Sequence, residues 1–359
     1  MLHHKMKPKI TILGAGLSGL LIAYRLKQLN FPIQILEARE RVGGRISTFI
    51  SEDTPVEMGA TWFGNQHTHL RALLAELKLP HFEQYMSGAA FYEPYATNPP
   101  QMVEIPSDAP SYRIQGGTSS LIHALAKDLS AEELQLNQSV ISLNFENEKV
   151  SIQTNQQAFE TAIVISTLPP ALLVTNIQVK PPFEAAFIKI AKSTHTWMQD
   201  SIKVALVYAT PFWKNRNLSG TIFSNVGPVT EFYDQSNVEN TRFALCGFVD
   251  GNLIQIQKSE RKKIILQHLV KMFGAEAYNY LSYEETIWAE EPFTKSELQN
   301  EVVIYPHQNN GNPIFSQSHF NHQFYLAGTE TSPVHPGYME GAVIAADNLI
   351  SQLRNKFNC

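Results

Sequence analysis

The 359-residue sequence has little cysteine and only a small excess of one charge. Its two cysteines, Cys246 and Cys359, are far apart and belong to no CxxC motif, which excludes a disulfide framework. This usage fits a reducing compartment, so a cytoplasmic protein is expected. The formal net charge of -5 argues against nucleic acid and anionic membranes as partners, and a small-molecule ligand is expected instead.

Signals for membranes and metals are also missing. No apolar run is long enough to cross a bilayer, and the basic N-terminus lacks a separate apolar segment with a cleavage site. A soluble protein without a signal peptide is therefore expected. His67 and His69 diverge on a predicted helix and have no third ligand nearby, so no metal site is expected.

What the sequence does contain is an ordinary globular composition, with 43% hydrophobic and 17% charged residues, and a glycine motif near its start. The length suggests two domains. The apolar run 10–13 predicts a buried strand that leads into Gly14, Gly16 and Gly19, in GxGxxG spacing, and then a helix over 17–29. These glycines suit a tight turn, a close approach to a pyrophosphate and close helix packing, respectively.

An acidic residue follows the next predicted strand. The strand 33–36 ends on Glu37, about 20 residues beyond the glycines, where a carboxylate can accept hydrogen bonds from an adenosine ribose. A bare glycine-rich turn and a solvated glutamate are the alternatives. The combination of strand, glycines and acidic residue favours dinucleotide binding.

A second glycine pair distinguishes flavin from nicotinamide as the ligand. Gly43 and Gly44 lie between Arg41 and Arg45, and Arg39 precedes them. A second close backbone approach, combined with fixed positive charge, suits a diphosphate.

The stretch LEARERVGGR followed by EMGATWFG resembles the flavin-containing monoamine oxidase family, which also includes polyamine oxidases and many L-amino-acid oxidases. The stretches IKVALVYATPFW, WAEEPF, GTET and HPGYMEGA extend this resemblance over nearly the whole chain. The resemblance implies a mixed α/β fold with a Rossmann-like FAD-binding domain over 1–80, 112–182 and 290–359. A smaller α+β substrate domain over 81–111 and 183–289 is inserted into it.

The resemblance also implies which residues bind FAD. They are Gly14, Gly16, Gly19, Glu37, Arg39, Gly44, Arg45, Thr61, Val140, Glu330 and Met339. Val140 is implied as a backbone contact near the adenine, and Met339 lies at the start of a helix whose N-terminus stabilises charge on the reduced flavin. Covalent family members attach the flavin to a cysteine after the WAEEPF segment. No cysteine lies between Trp288 and Phe324, so non-covalent FAD is expected.

Lys203 and Tyr338 are the catalytic residues that the resemblance implies. Lys203 lies on the small-residue face of an alternating strand, where a solvated lysine is the alternative, and its family counterpart holds a water against flavin N5. Tyr338 corresponds to one wall of an aromatic cage, with a core tyrosine as the alternative. The second wall aligns closest to Leu298, and three aromatic residues remain open as its replacement: Phe293, Trp62 and Trp197.

The sequence also predicts the secondary structure of the connecting segments. The prolines of 89–112 predict an irregular loop without helix or strand, in place of a longer helical part in larger family members, so the substrate entrance is expected to be more open. Three short strands are predicted over 138–166, and helices over 67–77 and 259–273.

The reaction implied by the resemblance is amine oxidation with a small amine and oxygen as partners. Hydride passes from the carbon that bears the nitrogen to flavin N5, the imine hydrolyses, and oxygen reoxidises the flavin to give hydrogen peroxide. Three alternatives remain: an L-amino-acid oxidase using Arg216 or Arg242, a sugar-mutase-like isomerase, and a flavin-binding protein without catalysis. A monomer or homodimer is expected.

Overall fold

A computed structural model describes residues 7–105, 109–295 and 305–359. The α-helices within these residues are α1 Leu17–Gln28, α2 Thr68–Glu76, α3 Ser119–Ala126, α4 Pro170–Asn176, α5 Ala185–Lys192, α6 Phe212–Asn215, α7 Lys258–Phe273 and α8 Met339–Phe357. The predicted helices over 17–29, 67–77 and 259–273 are confirmed as α1, α2 and α7.

The strands in the first half of the described chain are β1 Ile10–Leu13, β2 Ile33–Leu36, β3 Thr48–Ser51, β4 Thr54–Glu57, β5 Phe63–Gly64, β6 His81–Glu83, β7 Ala89–Glu93, β8 Gln101–Glu104, β9 Ser111–Ile114, β10 Leu134–Gln135, β11 Val140–Glu146, β12 Lys149–Thr154, β13 Ala158–Thr161 and β14 Ile163–Ser166. Those in the second half are β15 Gln178–Lys180, β16 Ile202–Tyr208, β17 Leu218–Ser224, β18 Val229–Asp234, β19 Phe243–Val249, β20 Tyr280–Ile287 and β21 Phe324–Leu326.

A five-stranded parallel sheet, in the order β10-β2-β1-β14-β21, carries the glycine motif. Its central strands are fully buried apolar runs, as parallel strands covered on both faces require. On one face of this sheet, Ile10 and Ile12 belong to a hydrophobic core with residues of α1, α3 and α8. On the other face, Leu13 belongs to a second hydrophobic core with residues of β11, β12 and α5. The expected α/β class is therefore confirmed.

A four-stranded sheet, in the order β13-β12-β11-β15, covers the other face of the parallel sheet. The prediction of three short strands over 138–166 is wrong in number, because the last segment breaks at Ala162. The amide of Ala162 and the hydroxyl of Thr161 both donate to the carbonyl of Lys9. This contact ends β13 and directs β14 into the parallel sheet beside β1.

A seven-stranded sheet has the order β20-β16-β19-β18-β17-β7-β8. One face packs its apolar side chains against α7. On the other face, Val56 and Met58 of the segment around β4 pack against Ala205, Val207 and Cys246. No helix of the described ranges is long and apolar enough to cross a membrane.

The predicted irregular loop over 89–112 is wrong, since this segment contains β7, β8 and the start of β9. Its prolines lie between these strands rather than inside them: Pro94, Pro99 and Pro100 connect β7 to β8, and Pro110 precedes β9. Pro106 lies outside the described residues. β7 forms parallel pairs with β17, which is distant in sequence, so local residue preference gives no sign of this pairing.

Candidate active site

A cleft lies at the carboxyl ends of the parallel strands, and its volume, with the open solvent at its mouth included, is about 1320 Å³. Leu13, Leu36 and Thr167, at the ends of β1, β2 and β14, line it. Open α/β sheets bind their ligands at this edge, outside the carboxyl ends of the strands. The topology therefore gives the cleft the position of a dinucleotide site.

Two glycine turns lie side by side on the floor of the cleft. Gly16 and Gly43 form an isolated parallel bridge, and the amide of Gly43 donates to the carbonyl of Ala15 at 2.8 Å. A Cβ at Gly19 would lie 2.0 Å from the carbonyl oxygen of Gly14, so α1 can pack here only with glycine. A Cβ at Gly16 would meet no atom nearer than 3.9 Å, which leaves an open cradle for a phosphate group.

Glu37 organises the first glycine turn. Its side chain is only 4% exposed, which excludes the solvated alternative. One carboxylate oxygen accepts from the amide of Ala15 at 2.7 Å and the other from the amide of Arg39 at 2.9 Å. Carboxylate oxygens have further lone pairs, so hydroxyl groups of a ligand in the cleft can still donate to them.

A buried pair of opposite charges lies beside the second glycine turn. Arg45 Nη1 is 2.6 Å from Glu330 Oε1 and also donates to the carbonyl of Trp197 at 3.3 Å. The side chain of Glu330 is completely buried, and its ion pair with Arg45 compensates the burial of its charge. Apart from this ion pair, neither oxygen has a hydrogen-bond partner in the described part of the chain.

Tyr338 and Met339 close the cleft at the start of α8. Both residues line the cleft, and the hydroxyl of Thr329 donates to the carbonyl of Tyr338 at 2.7 Å. Tyr338 is 42% exposed, which excludes the alternative of a core tyrosine. The positive end of α8 therefore faces the cleft, where negative charge on a ligand is stabilised.

Trp197 faces Tyr338, whereas the other two aromatic candidates lie elsewhere. The rings of Trp197 and Tyr338 are 6.1 Å apart with an angle of 25° between their planes, and His307 stacks on both at 4.7 and 5.7 Å. Phe293 lies 5.3 Å from the guanidinium of Arg39, and Trp62 packs on Tyr233 at 4.8 Å. Leu298 lies outside the described residues.

Histidines surround Tyr338 on its other sides. The rings of His67 and His335 are 6.0 and 6.4 Å from that of Tyr338, and His195 is 6.1 Å from His307. Burial lowers the pKa of His67, His195 and His307 below the ordinary value, which keeps these imidazoles neutral at pH 7. In the described ranges no group of three His, Cys, Asp or Glu side chains is arranged to hold a metal ion.

Lys203 is completely buried, which excludes the solvated alternative. Its Nζ donates to the carbonyl of Gly59 and to the hydroxyl of Thr61, each at 2.6 Å, and lies 4.8 Å from the ring of Trp62. Gly59 and Thr61 flank Ala60, which lines the cleft. Burial lowers the pKa of Lys203, with partial compensation from Cys246 and Glu57.

The structure brings most of the expected FAD contacts to one surface. The expected residues that line the cleft are Gly14, Gly16, Glu37, Arg39, Gly44, Arg45, Val140, Tyr338 and Met339. Gly19 lies beneath the glycine turn, and Glu330 contacts the lining residue Arg45. Thr61 is next in sequence to the lining residue Ala60, and Lys203 donates to Thr61.

Sequence reasoning missed two buried carboxylates that hold helices beside the cleft. Glu340 accepts from the amides of His69 and Leu70 at the start of α2, at 3.0 and 2.7 Å. Glu57 accepts from the amide of Thr118 ahead of α3, at 2.6 Å. Both occur inside apolar motifs, EMGA and YMEGA, and an acidic residue in such a setting is the signal that could have revealed them.

Comparisons with known proteins agree with this geometry. The family model for flavin-containing amine oxidoreductases matches residues 17–99 and 99–349. The probable flavin-containing monoamine oxidase A of Dictyostelium discoideum is 21% identical, with 97% of each chain covered, and amine oxidase B of Sus scrofa is 23% identical, with 97% of this chain and 86% of that protein covered. A solved structure of putrescine oxidase with putrescine bound has a TM-score of 0.84 at 20% identity, covering 97% of this chain and 99% of that one.

The chain therefore belongs to the flavin-containing amine oxidoreductase family. It is an FAD-dependent enzyme that oxidises amines. The alignment to the Dictyostelium protein is 453 positions long, more than the 359 residues of this chain, so that relative contains residues that this chain lacks.

Proposed function

We propose that this enzyme oxidises aliphatic amines with Lys203 and Tyr338 as its catalytic residues and Trp197 as the second aromatic wall. One observation carries the proposal: Tyr338, whose ring faces that of Trp197, lines the same cleft as the glycine turns and Glu37, and the buried Lys203 donates to Thr61 beside the lining residue Ala60. Oxygen is the proposed electron acceptor, with hydrogen peroxide as the product.

The cleft has suitable groups for each part of FAD. Val140 and Arg39 would adjoin the adenosine, Glu37 would accept from its ribose, and the turns at Gly14–Gly16 and Gly43–Arg45 would bind the diphosphate. Glu330, completely buried, would hold the lining residue Arg45 in place beside the cofactor. When bound at the Tyr338 end, FAD supplies the acceptor for the hydride that leaves the amine.

Lys203 holds and moves a proton close to the reacting centre. Its Nζ is fixed by Gly59 and Thr61, so it can bind a water molecule in a constant orientation. Because burial lowers its pKa, Lys203 releases its proton more readily than an exposed lysine does. A proton donor of this kind tunes the charge that develops during either half-reaction.

Tyr338 and Trp197 orient the amine and keep its surroundings dry. Aromatic rings with neutral imidazoles beside them offer apolar and π contacts. Such surroundings disfavour an ammonium group and favour the neutral amine, whose lone pair assists departure of the hydride.

The alternative of an L-amino-acid oxidase has less support. Such an enzyme needs an arginine that faces the substrate carboxylate. Arg216 lies 3.6 Å from Glu276 and donates to the carbonyl of Phe273, and Arg242 lies 3.8 Å from Asp53. Neither arginine lines the cleft.

Anaerobic mixing of the enzyme with primary, secondary and polyamine substrates and with L-amino acids tests the proposal. We expect amines to bleach the flavin absorbance and L-amino acids not to do so. Bleaching by L-amino acids alone would favour the amino-acid oxidase. Absence of bleaching by every compound would favour an isomerase or a flavin-binding protein without catalysis.

We propose further that the FAD-binding domain spans 1–80, 112–182 and 290–359 and the substrate domain 81–111 and 183–289. The five-stranded sheet draws its strands from the first set of segments and the seven-stranded sheet from the second, which supports this division. We also propose a cytoplasmic monomer or homodimer, in line with the two free cysteines. Light scattering coupled to size exclusion tests the oligomeric state.

A further inference from the structure

An imidazole belongs to the group of rings at the Tyr338 end of the cleft. The ring of His307 lies 4.7 Å from that of Trp197 and 5.7 Å from that of Tyr338, with angles of 14° and 18° between the planes. Gly337, which also lines the cleft, packs against the same imidazole, because a Cβ on this glycine would lie 3.1 Å from Cε1 of His307. His307 therefore contacts two residues of the cleft lining, Gly337 and Tyr338.

One nitrogen of His307 lies against a neighbouring amide, and the other is free. Nδ1 is 3.4 Å from the side-chain nitrogen of Asn310, whose Oδ1 is buried without a hydrogen-bond partner among the described residues. A half-turn of this amide exchanges its two ends, so that Oδ1 accepts from a proton on Nδ1. No described residue forms a hydrogen bond with Nε2. This arrangement leaves the lone pair of a neutral imidazole on Nε2, as a base requires.

The charges around His307 allow it to take up a proton. Burial lowers the pKa of His307 below its ordinary value, while the charge of Glu330 acts in the opposite direction. The imidazole is therefore neutral at pH 7, and Glu330 favours the cation that protonation would produce. The faces of Trp197 and Tyr338 also stabilise a cation beside them. The other titratable or charged groups near these rings are His67, His195, His335 and Arg45, which pairs with Glu330.

We propose that His307 is a further catalytic residue, whose Nε2 takes a proton from the substrate ammonium in the cleft while Asn310 positions the imidazole. This inference rests on the proposed amine oxidation at Tyr338 and Lys203. An N–H bond of the ammonium breaks, its electron pair stays on the substrate nitrogen, and a new N–H bond forms at Nε2. Nothing is oxidised or reduced in this step. Since alkylamines are almost fully protonated at pH 7, the step lets the enzyme use the abundant form and still react with the neutral amine.

Two variants remove the base in different ways. The backbone of His307 is left-handed, with φ 61°, a conformation in which both His and Asn are enriched. A histidine needed only for this backbone would be replaced by Asn without consequence, so His307→Asn separates the two roles. His307→Phe keeps a ring in contact with Trp197 and Tyr338. His123→Asn is the matched control, because it removes an exposed imidazole from α3.

The rate of flavin reduction is measured without oxygen at limiting hexylamine between pH 7 and pH 10. A variant without the base depends on the neutral amine, which becomes about tenfold rarer with each pH unit below about 10.4. We expect both His307 variants to be slower than the parent by ~10²-fold or more at pH 7. Their rate divided by that of the parent should rise by about tenfold per pH unit as it approaches one. Titration of groups common to all the proteins, such as Lys203, cancels in this ratio. His123→Asn should match the parent, and a ratio for the His307 variants that is constant with pH would overturn the proposal.

Asn310→Asp tests whether the imidazole is the group that must be neutral. A carboxylate beside Nδ1 favours the imidazolium and raises the pKa of His307. The rate should therefore be lost at a higher pH than in the parent, with the acidic limb of the profile displaced by about one pH unit or more. An acidic limb that stays in place would overturn the proposal, because the titrating group would not be the one that contacts Asn310.

Binding without reaction gives an independent measurement. tert-Butylamine has no hydrogen on the carbon that bears the nitrogen, so it binds to the oxidised holoenzyme but cannot lose a hydride. Calorimetric titration at pH 8, in buffers of different ionisation enthalpy, counts the protons released. We expect the parent to release almost none, because the proton passes to His307, and His307→Asn to release about one per amine bound. Equal counts in the two proteins would overturn the role of His307. Failure of every amine to reduce the flavin at any pH would instead overturn the proposed function, on which this role rests.

Discussion

Lys203 is completely buried and donates to Gly59 and Thr61, the two neighbours of the cleft residue Ala60. Burial of an ionisable group costs free energy, which Gly59 and Thr61 offset by accepting from its Nζ. A lysine needed only for solubility would lie on the surface. A substitution tests the catalytic role that we propose for Lys203.

We expect Lys203→Met to fold and to retain FAD, because methionine keeps most of the apolar stem while it removes the nitrogen. Flavin reduction or reoxidation should slow by ~10²-fold or more, the effect of losing a positioned catalytic group. Stopped-flow measurement of both half-reactions checks this. Thr61→Val is the control, since it removes one partner of Nζ but not the nitrogen. Parent rates in both half-reactions of Lys203→Met would remove Lys203 from the mechanism.

Glu37 is buried and accepts from two backbone amides, and we propose that it also accepts from the ribose of FAD. Glu37→Ala leaves the amides of Ala15 and Arg39 without their acceptors. We expect a loss of about 1–3 kcal/mol in the free energy of unfolding, together with weaker FAD binding. Urea unfolding and fluorescence titration with FAD measure the two effects. The exposed neighbour Glu40, changed to Ala, should show neither effect, and a parent-like Glu37→Ala would contradict this account.

At the scale of elements, a buried charge cluster joins β7 to α7. Glu93 accepts from Ser224 at 2.6 Å, from His268 at 2.9 Å and from Lys271. Burial raises the pKa of Glu93, but the hydrogen bonds from Lys271, Ser224 and His268 more than offset this and bring it from 4.5 to about 2. The carboxylate thus stabilises the folded state above pH 4.5.

This stabilisation should disappear as the pH falls from about 4.5 to about 2, because the unfolded state then binds a proton that the folded state does not. Burial also lowers the pKa of His268 below its ordinary value of 6.5. As the pH falls below 6.5, the unfolded state therefore binds a proton at this histidine before the folded state does, which also destabilises the fold. We expect the Tm of the parent to fall more steeply over this range than that of Glu93→Gln, which has no carboxyl group to titrate. Parallel curves of Tm against pH would show that the cluster is not coupled to stability.

At the scale of the whole molecule, the cleft is lined by segments that are far apart in the chain. The cleft lining includes residues from the first 60 positions, from 138–176 and from 292–342. A ligand that contacts all three parts stabilises the folded chain by mass action. The enzyme should therefore be yellow when purified and lose thermal stability when FAD is removed.

Precipitation with acid should release all of the FAD into the supernatant, because no cysteine is present between Trp288 and Phe324 to form a covalent bond. Absorbance of the supernatant and of the redissolved pellet measures the distribution. Flavin that stays with the pellet would show a covalent link through some other side chain.

The sequence by itself determined the α/β class, and eight of the eleven residues expected to bind FAD line the cleft. The glycine spacing, Glu37 and the YMEGA stretch act through local backbone geometry, which a short run of residues specifies. The same local reasoning failed at 89–112, because β7 is stabilised by pairing with β17 rather than by its own residue pattern.

Only the tertiary structure decided which side chains meet. Strand alternation predicted the face of Lys203 correctly but not its burial, since Val56 and Met58 from a distant segment pack on that face. Trp197 faces Tyr338, and His307 stacks on both, through contacts between residues far apart in sequence. Such contacts depend on the packing of whole sheets, which the order of residues along one strand does not reveal.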